Sequence, residues 1–273
     1  MTKQQINIVD INIVDFDLFY EVLKTASKVM KSMKMIINSG GIEIYGTTPE
    51  RIVRAELTSN SVTSADQIEV AIEDIQKFNK IVGTVIDVHA GDYSNLKFFV
   101  DMPSIKFESK KFKTKYSTID PAVISDWITN KFKTELTPVF EFTTTNDLIK
   151  RLANHSFMFT VPKDVRVHIA THAEMENNVV YGTLTNGNTG SMLGNEITLK
   201  LGLATFGTLT EQDTNETRSL IIDLPRLTTI GIMPTSDIHV SVSSINVIKA
   251  STKMSGKNGT FFNLSIYTGL LKS

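Results

Sequence analysis

The chain has no cysteine among its 273 residues. Disulfide staples and thiolate metal sites are therefore excluded, and a reducing compartment is compatible. No apolar run approaches the roughly 18 residues needed to span a bilayer, so no membrane partner is expected. The opening stretch, Met1 to Asp15, carries acidic residues inside its only apolar segment and lacks a small-residue cleavage site, so it does not read as a secretory signal. Charge of neither sign predominates: 28 Lys and Arg face 29 Asp and Glu, a net −1. That balance argues against a protein that coats nucleic acid by bulk attraction.

Catalytic signatures are also missing. There is no G-x-S-x-G, no H-E-x-x-H and no carboxylate pair at a distinctive spacing. Ser255-Gly256-Lys257-Asn258-Gly259-Thr260 imitates a phosphate loop, but that pattern needs glycine where this chain has Ser251 and a hydroxyl residue where it has Asn258. It reads as a hairpin turn. Asn186-Gly187-Asn188 with Gly190 and Gly194 reads as a long loop. His168 and His172 lie near Glu174 and Glu176. On a strand, four residues span about 13 Å, too far for one shared ion. No catalytic residue, no metal site and no cofactor is expected.

What the chain does have is length for two ordinary domains, 41% hydrophobic residues and a β-α-β-β-β pattern that runs four times. The first helix is expected over Asp15 to Ser32, between an N-terminal strand and strands at Met35 to Asn38, Ile42 to Tyr45 and Val53 to Leu57. The second unit opens on the alternating strand Ile68 to Ile72. A helix follows from Asp74 to about Val85, then strands at Asp87 to Ala90, Leu96 to Val100 and Ser104 to Phe112. Tyr116 to Pro138 breaks the rhythm with Pro121, Pro138 and the only tryptophan, Trp127, and reads as a linker. The third unit starts at Val139 and has its helix at Asn146 to Asn154. Strands are expected at Phe157 to Val161, Val165 to Ala170, Val179 to Thr185 and Glu196 to Leu203. The fourth places Ser219 to Asp223 before a short helix, Leu224 to Ile232, with Pro225 in its first turn, and three closing strands. The expectation is an α+β protein of two similar domains, 1–116 and 138–273, joined by 117–137.

Several helices carry cations on the face that is not apolar. Phe16, Phe19, Leu23 and Met30 share one stripe of the first helix, and Lys24, Lys28 and Lys31 share another. Lys77 and Lys80, Lys150 and Arg151, and Arg226 recur at equivalent places. A solvated helix face is the bland reading of any one stripe. Recurrence in a near-neutral chain favours one surface directed at a polyanion. No aromatic residues are interleaved with these charges, so contact with duplex phosphates fits better than a base-stacking groove.

The order of elements resembles the DNA polymerase sliding clamps, the processivity factors of replication. It is closest to the tailed-bacteriophage type, related in fold to proliferating-cell nuclear antigen. The resemblance is carried by Leu23-Lys24 through Ile37-Asn38-Ser39-Gly40, by Ile68 to Phe78, by Asn146 to Leu152, and by Ile221 to Leu224 through Met233-Pro234. Extra length lies partly in Glu174 to Gly194 and Thr208 to Thr217. The resemblance implies a non-enzymatic homotrimeric ring with helices on a concave inner face and sheets outside. Duplex DNA would thread it without base readout. A DNA polymerase and a clamp-loader ATPase would be its partners, in the cytoplasm of an infected bacterial host. It implies that Lys24, Lys28, Lys31, Lys77, Lys80, Lys150, Arg151 and Arg226 face DNA. It further implies that partner peptides dock near the linker, where Val123, Ile124 and Trp127 are offered, with Pro234, Tyr267, Leu270 and Leu271. Ring closure is expected through Ser104 to Phe112 pairing with Val179 to Leu184 of a neighbour. A non-ring factor that binds DNA by charge, and a β-rich virion protein with merely solvated lysines, are the alternatives.

Overall fold

The structure is a computed structural model and describes residues 8–47, 53–124, 136–155, 164–169, 179–185, 196–206, 219–223, 228–231, 233, 237–243 and 247–269. The chain forms two compact units. The first is Met1–Lys131 with Lys253–Leu264, and the second is Phe132–Thr252 with Ser265–Ser273.

In the first unit the β-α-β-β-β order occurs twice. The first pass is β1 (Ile8–Ile13), α1 (Phe16–Val29), β2 (Met33–Asn38), β3 (Gly41–Thr47) and β4 (Val53–Ser59), followed by the short β5 (Val62–Thr63). The second is β6 (Ile68–Ile72), α2 (Ile75–His89), β7 (Lys97–Asp101), β8 (Ser104–Glu108) and β9 (Lys113–Ser117). One antiparallel sheet runs β5-β1-β7-β8-β9, and a second contains β4-β3-β2-β6.

Local chemistry explains α1. The Asp15 side chain accepts from Leu18 N at 3.0 Å, which satisfies one orphan amide of the first turn. Phe16, Phe19, Val22, Leu23, Ala26 and Val29 are buried at helical spacing. Their partners are rings of the sheet. Phe98 and Phe107 stack at 4.5 Å, and Phe107 lies 6.1 Å from Phe16 and 6.4 Å from Phe78.

Helix α2 corrects one expectation. Asp87 to Ala90 is not a strand, because the helix runs on to His89. Val82, Val85 and His89 are buried and continue its apolar stripe. Ala90 then turns left-handed at φ 48° and Gly91 follows at φ 89°, which ends the helix. The loop from Gly91 to Ser94 thus leads from a helix into β7. His89 is held at both ring nitrogens, 2.8 Å from Val85 O and 3.0 Å from Ser109 Oγ.

A second correction concerns Ser104 to Phe112, which is not one strand. β8 stops at Glu108, and the chain reverses where Ser109 N donates to Phe112 O at 2.7 Å. The Ser109 hydroxyl oxygen accepts from Lys111 N and Phe112 N, both at 3.2 Å. A serine makes this turn, without the glycine or proline that would have marked it in the sequence. β9 is consequently the last strand of its sheet and has no strand on its outer side among the described residues.

The second unit contains β10 (Pro138–Thr145), α3 (Asn146–Asn154), β11 (Asp164–Ile169), β12 (Val179–Thr185), β13 (Glu196–Phe206), β14 (Ser219–Asp223), β15 (Asp237–Ser243), β16 (Val247–Ser255) and β17 (Phe261–Gly269). The outer ends of β16 and β17 belong to the first unit. The order is β14-β11-β12-β13-β10-β15-β16. Thr145 caps α3 by accepting from Leu148 N at 3.2 Å. Val179 to Leu184 is not a sheet edge, because β12 is bonded to β11 and to β13. Among the described residues β14 ends this order, and β13 leaves part of one edge open. That strand meets β12 over Val179↔Leu203 to Thr185↔Glu196, but meets β10 only over Ala204, Thr205 and Phe206. Residues 228–230 are helical. The expected strand Phe157 to Val161 lies outside the described residues.

Candidate nucleic-acid interface

Helices α1 and α2 pack side by side. Asn79 Nδ2 donates to Ser27 Oγ at 3.5 Å, and a Cβ on Gly83 would meet the Tyr20 hydroxyl at 3.0 Å. The residue numbers rise along one helix and fall along the other, so the pair is antiparallel. Glycine at position 83 permits this close approach. The end of α1 is also tied to the start of α2, where Ile75 N donates to Lys31 O at 3.0 Å.

This geometry brings lysines together, beside the exposed Glu73 and Asp74 at the start of α2. Lys28 in the last turn of α1, Lys31 just beyond it, and Lys77 and Lys80 at the start of α2 gather at one end of the pair. All four are exposed and form no ion pair among the described residues. Asp17 and Glu21 near the start of α1, and Asp87 near the end of α2, lie toward the other end. Lys24 lies between them. It is exposed, pairs with Glu21 at 3.2 Å and sits 5.9 Å from the Tyr20 ring. An exposed pair of this kind contributes about 0–1 kcal/mol, so its role is to soften the local field.

In the second unit Lys150 and Arg151 are both exposed on α3. Arg151 is bound to Asp147 one turn earlier at 2.8 Å, which leaves Lys150 as the unneutralised cation of the two. Arg226 lies outside the described residues.

The start of the linker is anchored on the first unit. Thr118 N donates to Pro103 O at 2.9 Å, and Ile119 N donates to Ala71 O at 3.1 Å, a single bridge on the edge strand β6. Asp120 caps a 3₁₀ turn, Pro121–Val123, by accepting from Ala122 N at 2.9 Å. Ile124 is buried against Tyr45 and Ala71, with Ile36 and Ile119 beside them, whereas Val123 is 70% exposed. The sequence reading missed Tyr45 and Ile36 as the seat of Ile124; their alternation on β3 and β2 was the available signal. Tyr45 donates to Glu43, and burial together with that bond pushes its hydroxyl far above the usual tyrosine range. Tyr267 is half-buried on β17 of the second unit, with Lys249 Nζ 5.8 Å from its ring. Trp127, Pro234, Leu270 and Leu271 lie outside the described residues.

Among the described residues no group of His, Asp and Glu is placed to hold a metal ion. His168 lies on β11 opposite Tyr181 and Ser219, as a strand residue does. No helix of the described residues is long and apolar enough to cross a membrane, which says nothing of strands.

The arrangement is that of a clamp fold, with α+β units built from repeated β-α-β-β-β passes. The particular structures it matches are proliferating cell nuclear antigens. The protein from Entamoeba histolytica shares 14% identity over 97% of this chain and 99% of that one, with a TM-score of 0.64. A. fulgidus PCNA, solved with the C-terminal region of FEN-1 bound, shares 10% over 98% and 99%, with a TM-score of 0.66. The PCNA2–PCNA3 complex of Sulfolobus tokodaii shares 12% over 97% and 99%, with a TM-score of 0.58. At these identities the likeness is one of fold. No family model and no curated protein sequence matches the chain.

Proposed function

We propose that the chain is a DNA sliding clamp: a non-enzymatic ring that encircles duplex DNA, tethers a polymerase for processive synthesis and is opened by a clamp-loader ATPase. The observation that carries this is the shared clamp fold over 97–98% of the chain. The free lysines at one end of the α1–α2 pair support it. A topological link needs no base readout and only modest positive charge, which suits a net charge of −1. Lys24, Lys28, Lys31, Lys77, Lys80, Lys150, Arg151 and Arg226 are assigned to DNA, with Lys24 and Arg151 contributing least because each has a carboxylate partner.

The ring is a homotrimer by resemblance, and its closure uses the strand edges left open within each unit. The outer edge of β9 would join the edge of β13 that precedes Ala204 on a neighbouring chain. Short peptide tails from the polymerase would dock near the linker, on Val123, Ile124 and Trp127 with Pro234, Tyr267, Leu270 and Leu271. The archaeal PCNA carrying the C-terminal region of FEN-1 is the analogy for that mode. The resemblance to phage clamps would put the protein in the cytoplasm of an infected bacterium.

Light scattering tests the ring: a mass of three chains is expected, and a monomer at micromolar concentration counts against closure. Retention on circular duplex DNA, with loss on linear DNA, separates a topological clamp from a factor held by charge. A protein that stays on both equally is not a ring. A protein held by neither, with no stimulation of polymerase, is not a processivity factor.

A further inference from the structure

The stretch that imitates a phosphate loop is the turn between β16 and β17, and it sits on the cap of α1. Asp15 is the meeting point. Its Oδ1 accepts from Leu18 N at 3.0 Å and caps the helix. Its Oδ2 accepts from Lys257 N at 3.2 Å and lies 3.0 Å from the Thr260 hydroxyl, whose single proton is shared between that oxygen and Lys257 O at 2.6 Å. Thr260 is only 2% exposed, and Thr260 N donates to Lys257 O at 3.0 Å to close the turn. Gly256 passes so near that a Cβ there would lie 2.3 Å from Thr260 Oγ1 and 2.9 Å from Asp15 Oδ2. Only glycine fits that approach without displacement.

Asn60 holds the other flank. Its Oδ1 accepts from Phe261 N at 2.7 Å, and its Nδ2 donates to Gly259 O at 3.3 Å. The Ser59 hydroxyl donates to Phe261 O at 2.8 Å. At the rim, Lys257 Nζ reaches Asp17 at 3.4 Å, and Asp17 accepts from the Tyr93 hydroxyl at 2.7 Å. The Thr260–Asp15 bond joins residues 245 apart in the chain.

One carboxylate is therefore divided between a helix start and a hairpin tip. Movement of either partner disturbs the group that holds the other. We propose that the Gly256–Thr260 tip is a latch: docking of the last hairpin on Asp15 and formation of the first turn of α1 are one cooperative event, and the first unit is complete only when the final strands of the chain have closed on it. The latch is independent of what the lysines of α1 face.

Amide hydrogen exchange on the full chain tests it. Thr260→Val removes the hydroxyl, keeps the shape and leaves the Leu18–Asp15 bond in place. Exchange should rise together at Phe261, in the hairpin, and at Leu18 and Phe19, in the first turn, by about five- to tenfold. A rise at Phe261 with no change at Leu18 and Phe19 overturns the latch, as does no change at either. Gly256→Ala pushes the tip away without removing a hydrogen-bonding group and should loosen the same two places. Asp15→Asn approaches from the helix side, since it replaces one of the two acceptor oxygens by an NH2 donor that cannot accept. Joint loosening is again expected, and loosening of one site alone refutes the coupling.

Discussion

The two units share a topology but not a surface. In the first, helices of 14 and 15 residues pack antiparallel and leave at one end four lysines with no ion pair among the described residues. In the second, α3 has nine residues, and Asp147 neutralises the arginine one turn away. The interiors differ too. Phe16, Phe19, Phe78, Phe98 and Phe107 form a connected ring cluster in the first unit. Phe140 and Phe142, 6.3 Å apart, are an aromatic pair among the described residues of the second. A repeat fixes where helices and strands go, because alternation and helical spacing recur. It does not fix charge, because exposed positions are free to vary at little cost in stability.

The largest effect should come from the core. Phe107→Ala removes a fully buried ring that touches three others and should cost about 4 kcal/mol. Phe140→Ala should cost about 3 kcal/mol, since among the described residues its ring neighbour is Phe142. Urea midpoints measure both, and equal costs would break the contrast between the interiors.

Next is the lysine cluster. Changing Lys28, Lys31, Lys77 and Lys80 to Glu should lower duplex affinity at least tenfold. It should also flatten the salt dependence by up to about 3.6 in log–log slope, at about 0.9 per phosphate contact. Folding stability should move by less than about 0.5 kcal/mol per site. The pair Lys150→Glu with Arg151→Glu should do less. Fluorescence anisotropy on a labelled duplex across a salt series reads both, and a larger loss from the α3 pair would reverse the assignment.

The helix caps give a smaller comparison. Asp74 accepts from Lys77 N at 2.9 Å, and Thr145 from Leu148 N at 3.2 Å. Alanine at either position should cost about 1 kcal/mol. Asp74 should cost a few tenths more, because its charge also meets the positive end of the helix dipole. Thermal unfolding of the two variants checks the order.

The smallest prediction unmasks a cation. Asp147→Ala should change stability by no more than about 0.5 kcal/mol. It should also raise the salt slope of duplex binding by up to about 1 if Arg151 then contacts a phosphate. An unchanged slope would mean that Arg151 does not meet the duplex.

Much of the fold was legible because each signal was local. The α3 span Asn146–Asn154, β12 at Val179–Thr185 and β14 at Ser219–Asp223 coincide with the expected segments. Misreadings occurred where the punctuation was weak. The Ser109 turn contains neither glycine nor proline, so the expected strand runs on through the turn to Phe112, β9 is missed and the wrong edge is chosen. Val88 and His89 suit a strand by composition, yet they prolong α2, because buried packing outweighs β propensity. For the candidate site, the cations were readable one by one. Their ion pairs and their gathering at one end were not.

The sequence alone determined the alternation of strand and helix, the apolar stripes and the lysines on the opposite faces. These follow from spacing within a dozen residues. Tertiary structure decided which strand ends a sheet, which lysines lack an acidic partner, and that Asp15 serves a turn 245 positions away. Such relations join residues distant in the chain, and local periodicity carries no information about which distant segment will fill a neighbouring place in space.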